Sequence, residues 1–445
     1  MNSKQIFMGS GTDHWEGNGR KIKDITFCVT EDCNLACKYC YMTGKNSKKK
    51  MSLETAKKVV DFILNDRMSF SEGAVVWNLI GGEPFLEIEL INQISDYIKQ
   101  QMFLLDHPWF DAYRFSFSTN GILYDTEKVQ AYISKNKGHI SIGISVDGNK
   151  LKHDLQRVYP NGEGSYEDVV KNVPLWIKQF GNVQTKATYS HEDLPYIKDS
   201  IISLWDIGIN NVSANVIFED VWHEGDDLVY ETQLKDLADY IIENKLWDKN
   251  RVRFFNPKIG FTNDDEVKQT NFCGAGKMLA VDCDGNFSPC IRFLDFSLNN
   301  KKGINIGNYK TGINMDKVRP FYGLYLGNQS TNECINCEVA TGCAWCSGYN
   351  YDNAQTTTVY ERAIHICKMH KANVRATDYF WKRYETVTGE KSPRQIYKET
   401  REKISEKPRY LQLITEDNIV PHCNYRSNKS TNTLMNRELI EKGTH

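Results

Sequence analysis

Three cysteines within eight residues constrain this chain more than any other feature. The run Cys33-Asn34-Leu35-Ala36-Cys37-Lys38-Tyr39-Cys40 has the spacing C-x3-C-x2-C and follows the β-prone apolar stretch Ile25-Thr26-Phe27-Cys28-Val29. Three thiolates on one short loop can hold three corners of a cubane iron–sulfur cluster. No fourth ligand stands nearby, which leaves one iron open to a small chelating molecule. Zinc and buried thiols are the other readings of clustered cysteines. Structural zinc, however, takes four ligands, often from two C-x2-C pairs. Here the first gap is three residues, and no Cys or His follows for a long way.

A chain of 445 residues suits a barrel with one or two appended units. Its formal net charge of −2 does not mark a nucleic-acid binder. Mean hydropathy is −0.53, and no apolar run is long enough to cross a bilayer. Met1 to Gly19 has no basic-then-apolar signal pattern. The expectation is a cytoplasmic protein with neither nucleic acid nor membrane as partner. Thirteen cysteines in such a chain point to metal clusters over disulfides. They gather in two zones, Cys28–Cys40 and Cys273–Cys367, with Cys423 alone in the tail as a free thiol. Cys28 reads as core because it sits mid-strand.

Short β-branched runs alternate with amphipathic stretches from about residue 22 to 220. Strands are expected at Asp24–Thr30, Val75–Gly81, Arg114–Thr119, Ile140–Val146, Gln184–Tyr189 and Asn211–Phe218. Helices fall between them. Over Leu53–Asn65, the residues Ala56, Val59, Val60, Ile63 and Leu64 share one face, and Glu87–Gln100 repeats the pattern with Leu90, Ile91, Ile94, Tyr97 and Ile98. Such alternation implies an α/β fold with a parallel sheet and right-handed crossovers. Six units make a partial (β/α)6 barrel resembling a TIM barrel. Active residues then belong on loops leaving the C-terminal ends of strands. Gly81-Gly82-Glu83-Pro84, Ser118-Thr119-Asn120-Gly121 and Ser145-Val146-Asp147-Gly148 all stand there, as does the cysteine loop.

The expected division is a polar segment over 1–21, the barrel over 22–225, a charged connector over 226–268, a cysteine-rich domain over 269–375, and a helix with a loose tail over 376–445. The acidic run His223-Glu224-Gly225-Asp226-Asp227 reads as a solvated turn or as a rim facing substrate.

With those motifs in place, residues 22–220 resemble the radical S-adenosylmethionine (radical SAM) enzymes. Tyr39 is the aromatic residue that commonly precedes the third cysteine in that family. The resemblance implies S-adenosylmethionine at Cys33, Cys37 and Cys40, with further contacts from Tyr39, Gly81, Gly82, Glu83, Pro84, Ser118, Thr119, Asn120, Ser145, Asp147 and Arg157. Glu83 would add negative charge near the methionine ammonium, and the glycines would let peptide carbonyls approach the ligand. His153-Asp154 and Arg157 resemble a segment of the branch that modifies peptides and proteins, with Arg157 either clamping a carboxylate or sitting in a surface salt bridge.

The second cysteine zone resembles the SPASM extension, which holds two auxiliary clusters. The resemblance implies Cys273, Cys290 and Cys346 at the first, with Cys283 as its fourth ligand or as a semi-buried thiol. Cys334, Cys337, Cys343 and Cys367 would hold the second. Two residues, Ala344 and Trp345, separate the last cysteines of the quartet where the family usually has three. The implied cofactors are S-adenosylmethionine and three [4Fe–4S] clusters, and the implied partners are a precursor peptide and an electron donor such as flavodoxin or ferredoxin. Sulfatase-maturating members carry an aspartate after the cysteine matching Cys290, and here Ile291 stands there. The run from Gly342 to Asn350 looks most like maturases of Cys-x-x-x repeat peptides, which implies a thioether from cysteine sulfur to carbon. The alternatives are a sulfatase-maturating enzyme making formylglycine and, in another class, a non-catalytic iron–sulfur protein. No catalytic side chain is assigned from the sequence. Because the barrel begins by residue 22, leader recognition falls to the connector, the tail or a separate protein.

Overall fold

The computed structural model describes residues 15–46, 48–270 and 273–405. Cys423 and the expected tail lie outside the described residues. One large compact unit runs to Arg394, and a short one begins at Gln395.

All six expected strands form: β1 (Ile22–Thr30), β2 (Ala74–Gly81), β3 (Tyr113–Thr119), β4 (Ile140–Ile144), β5 (Gln184–Tyr189) and β6 (Asn211–Val216). β1 to β4 pair in parallel and in sequence order, and β5 pairs in parallel with β6. β4 stops two residues short of the expected end. There the Thr185 hydroxyl takes over the ladder: it accepts from Val146 N at 2.9 Å and donates to Ile144 O at 2.9 Å. One side chain thus joins the two sheet segments where backbone pairing lapses.

Helices cover the outer face. Leu53–Asn65 starts at Ser52, whose hydroxyl accepts from Thr55 N at 3.0 Å, a standard N-cap. It buries Ala56, Val59, Val60, Ile63 and Leu64, the face that the periodicity picks out. The other helix over this stretch runs Ile88–Leu104, four residues past its expected end at Gln100, and buries Ile91, Ile94 and Ile98. Trp77 on β2 and Trp109, in the turn before β3, meet edge to face at 5.9 Å and anchor the core beneath.

Five further strands were not legible: β7 (Arg251–Val252), β8 (Leu279–Val281), β9 (Asn286–Ser288), β10 (Gly307–Asn308) and β11 (Gly312–Ile313). Two or three residues carry no usable alternation. Their effect is large. β8 pairs in parallel with β1, so the sheet runs β11-β10-β9-β8-β1-β2-β3-β4, and the second cysteine zone shares one sheet with the barrel. β7 pairs with β6 on the opposite flank. The connector holds a long helix, Asp226–Glu243, and the helix Cys367–Thr388 crosses the boundary expected at 375/376.

Candidate active site at the barrel mouth

The cysteine loop leaves β1 and is braced from two sides. Asp32 caps it, its Oδ1 accepting from Cys33 N at 2.8 Å. Ala36 N donates to Val158 O at 2.8 Å, and Lys38 N to Gln156 O at 2.9 Å. Cys33, Cys37 and Cys40 all keep partial exposure. Burial pushes the Cys33 thiol up to about 11 and raises Cys37 too, with Arg157 opposing at Cys37. Among the described residues, no three His, Cys, Asp or Glu groups converge on a single-ion position.

Gly81 and Gly82 serve the loop directly. A Cβ on Gly81 would lie 2.4 Å from Thr30 O, and one on Gly82 2.2 Å from Asp32 O. Gly82 N donates to Thr30 O at 3.0 Å, and Glu83 N to Asp32 O at 2.8 Å. The glycines are required because the second rim loop lies backbone to backbone on the first.

Glu83, expected to add negative charge near the methionine ammonium, is held by the loops around it. It is 1% exposed. Oε1 accepts from Thr119 Oγ1 at 2.7 Å and Phe85 N at 3.1 Å, and Oε2 accepts from Asn120 N at 2.8 Å. Burial raises its pKa despite those bonds. The carboxylate therefore fastens the loop after β2 to the loop after β3. Pro84 is buried behind it. Thr119 and Asn120 are buried too, and Asn120 Nδ2 reaches Asn34 Oδ1 at 2.6 Å. Ser118 is exposed at the end of β3, and Ser145 is half-buried.

Tyr39, Asp147 and Arg157 come together in one buried network. The Tyr39 hydroxyl donates to Asp147 Oδ2 at 2.5 Å and accepts from Arg157 Nη1 at 2.9 Å. Two residues outside the expected set complete it. Lys152, fully buried, donates to Asp147 Oδ2 at 3.0 Å and to Thr188 O, with its ammonium over the rings of Tyr189 and Tyr39. His153 Nδ1 accepts from Asp147 N at 3.3 Å, and its Nε2 lies 3.1 Å from Ser165 Oγ. Burial and Arg157 push His153 down to about 3, so the ring is neutral. Burial alone would raise Asp147; Lys152 and Arg157, with the hydrogen bond from Tyr39, outweigh it and hold the carboxyl below its ordinary value. Arg157 is thus no surface ion pair.

Two atoms of this network, Asp147 Oδ1 and Arg157 Nε, are buried without a partner among the described residues. An orphaned acceptor and an orphaned donor beside three loop thiols fit a polar ligand such as S-adenosylmethionine.

Seven further cysteines form two groups. Burial raises Cys273 and Cys290, Cys346 adds to the rise at both, and Cys273 adds to it at Cys290, so the three thiols stand within electrostatic reach of one another. Cys334, Cys337, Cys343 and Cys367 line one cavity with Arg362 and His370. Arg362 Nη2 donates to Cys343 Sγ at 3.3 Å. Burial holds the Cys343 thiol at about 11 against that cation. Four thiols around one cavity suit a cubane with a complete cysteine shell. Cys346 joins its expected trio despite the short spacing before it. Cys283 does not join it. It is buried in the barrel core, its Sγ 3.3 Å from Cys28 O, whereas Cys273 and Cys290 pack in a separate apolar cluster. The turn between β8 and β9 carries it to β1, which a linear reading of cysteine spacing does not reveal.

The mouth connects to the cysteine-rich region through the chain after β6. Glu219 pairs with Arg292 Nη2 at 3.0 Å, and Asp220 with His365 Nδ1 at 3.1 Å. The Arg292 guanidinium also stands 4.9 Å over the ring of Tyr41, the residue after Cys40. In the acidic run, Asp226 is buried and holds His191 Nδ1 at 2.8 Å, so this turn is tied to the exit of β5.

Comparison with known proteins agrees with this architecture. The Radical SAM superfamily matches residues 27–189, and that stretch is a radical SAM domain. The chain is 30% identical to the uncharacterized protein MJ0907 of Methanocaldococcus jannaschii over 198 residues, 44% of this chain and 63% of that protein. It is 26% identical to the subtilosin biosynthesis protein AlbA of Bacillus subtilis, over 62% of this chain and 56% of AlbA. It therefore spans roughly three-fifths of the length of these relatives. The solved structure of anSMEcpe with bound AdoMet and the Kp18Cys peptide superposes with a TM-score of 0.62 at 19% identity, covering 83% of this chain and all of that one. Among the described residues, no helix is long and apolar enough to cross a membrane.

Proposed function

We propose that this chain is a radical SAM peptide maturase that installs a cross-link, a thioether from cysteine sulfur to carbon, in a ribosomally made cysteine-rich precursor. The observation that carries this reading is the grouping of ten cysteines into a loop of three, a trio and a cavity of four. A lone electron-transfer protein has no need of the loop of three beside orphaned ligand groups. The similarity to a protein of bacteriocin biosynthesis supports a peptide as substrate.

On this reading Cys33, Cys37 and Cys40 hold the cluster that binds S-adenosylmethionine. Cys273, Cys290 and Cys346 hold one auxiliary cluster, and Cys334, Cys337, Cys343 and Cys367 the other, within a domain over 269–375. Bound there, these groups supply the one-electron chemistry that removes a hydrogen atom from carbon, which side chains cannot perform alone. The protein's part is position. Asp147, held below its ordinary pKa, accepts a hydroxyl through Oδ1, and Arg157 donates through Nε. Cys273, Cys290 and Cys346 would supply only three thiolates to their cluster, so a substrate thiolate could serve as the fourth ligand. A flavodoxin or ferredoxin supplies the electron.

A sulfatase-maturating role is the second reading, because anSMEcpe shares the fold. Against it stands Ile291, half-buried where that role wants a base, while Glu219 nearby is held by Arg292. Anaerobically reconstituted protein, incubated with S-adenosylmethionine, a reductant and a cysteine-rich precursor, is expected to release 5′-deoxyadenosine and lower the peptide mass by two hydrogens per link. Unchanged precursor mass, with a sulfatase-derived peptide converted to an aldehyde, would replace this reading with the second.

A further inference from the structure

Strand β5 alternates sharply. Thr185, Ala187 and Tyr189 are buried in the core, while Lys186 between them is exposed. By the period of two along a strand, Lys186 stands on the opposite face, inside the barrel. The groups that act on its ammonium are Arg253 after β7, Arg292 after Cys290, Asp147 at the mouth and the thiol Cys346. Lys186 thus stands within electrostatic reach of Asp147 in the mouth network and of Cys346 in the trio.

Other cations in this region have partners. Lys152 is bound to Asp147 and Thr188 O, Arg157 to Tyr39, and Arg292 to Glu219. Lys186 makes no hydrogen bond or ion pair among the described residues. Two arginines nearby add positive charge. Burial and those guanidiniums hold its pKa below the ordinary lysine value. An accessible ammonium with no hydrogen-bonded partner, flanked by two guanidiniums, is a ready site for an anionic group of a guest. The face that exposes it opens on the barrel interior, where a guest must enter.

We propose that Lys186 is a substrate-binding residue that receives a carboxylate of the guest peptide, and so selects peptides with an acidic group beside the reacting residue. This rests on the peptide-maturase reading. The carboxylate comes from an Asp or Glu side chain or from the peptide C-terminus. Loss of one such charge-assisted contact weakens binding about tenfold.

The test uses the reconstituted full chain with four synthetic cysteine-containing peptides: one with Glu, its Gln counterpart, and both as C-terminal amides. Dissociation constants are measured by fluorescence anisotropy, with S-adenosylmethionine affinity measured separately. The Glu peptide should bind about tenfold more tightly than the Gln peptide if the side chain is recognised, and the free acid more tightly than the amide if the terminus is. Lys186→Met should erase that preference, and Lys186→Arg should restore most of it. Equal affinities for all four peptides, or a preference that survives Lys186→Met, overturns the inference and leaves the maturase reading standing. A Lys186→Met effect on S-adenosylmethionine alone also overturns it, because the carboxylate served would then be that of the cofactor. No binding of any peptide overturns the maturase reading and this inference together.

Discussion

The Tyr39 hydroxyl donates to Asp147 Oδ2 at 2.5 Å across 108 positions of sequence. The Tyr39 hydroxyl oxygen in turn accepts from Arg157 Nη1 at 2.9 Å, so one phenol ties the cysteine loop to the exits of β4 and of the helix after it. Tyr39→Phe leaves Asp147 with Lys152 alone at that oxygen and strips Arg157 Nη1 of its partner. An unsatisfied buried charge-bearing group costs about 1–3 kcal/mol. The variant should melt several degrees lower and bind S-adenosylmethionine about tenfold more weakly, measured by anaerobic calorimetry. Unchanged affinity would separate this network from the cofactor.

Gly82→Ala places a methyl 2.2 Å from Asp32 O and 2.7 Å from Glu31 O. Both are backbone atoms, so no side chain can swing aside. Forced overpacking of this kind costs about 1–3 kcal/mol, and here the strain falls on the residue preceding Cys33. Lower iron content and a lower melting midpoint are expected together. An alanine variant with full iron and an unshifted midpoint would mean that the two loops are not locked.

Much of this site can be read from the sequence, because a parallel barrel projects the loop after each strand to one rim. Strand periodicity therefore locates Cys33, Gly82, Asn120 and Asp147 at once. What cannot be read is the direction in which each group is used. Glu83 reads as a charge near a ligand, and the sequence does not show that it also accepts from Thr119, Asn120 and Phe85 and so ties two rim loops together. Lys152 and Lys186 look like ordinary solvent-seeking lysines. One is sealed under two tyrosines, and the other stands in the lumen. The alternation Thr185-Lys186-Ala187 within a strand is the one signal that marks Lys186 beforehand. Cys283 follows the same lesson, since the pairing of β8 with β1, and not its distance from Cys273, decides its neighbours.

Acid should destabilise the protein through His153. Its ring is neutral when folded, with a pKa of about 3, because burial and Arg157 oppose the charge. Unfolded, it titrates near 6.5. Between those values the unfolded chain binds the extra proton, so stability is complete above about pH 6.5 and falls as pH drops towards 3. At pH 5 the loss from this one ring is about 2 kcal/mol. His153→Gln removes the titration while keeping an acceptor near Asp147 N. The gap between melting midpoints at pH 7.5 and pH 5 should be smaller in the variant than in the parent. An equal gap in both would show that other groups carry the acid sensitivity.

Iron content separates two cysteines that look alike in the sequence. Cys367 lines the cavity shared by Cys334, Cys337 and Cys343. Cys283 is packed in the barrel core against Cys28. A chain with three cubanes holds about twelve irons. On the proposed assignment Cys367→Ala opens the shell of one cluster and should lower the count towards about eight. Cys283→Ala removes no cluster ligand and should leave the count unchanged, at the modest stability cost of a small core cavity. Iron and sulfide assays on the anaerobic proteins, with Mössbauer spectra to count cluster types, decide the matter. A fall in iron on Cys283→Ala would return that residue to the first auxiliary site, and twelve irons retained by Cys367→Ala would take the cavity of four out of cluster binding.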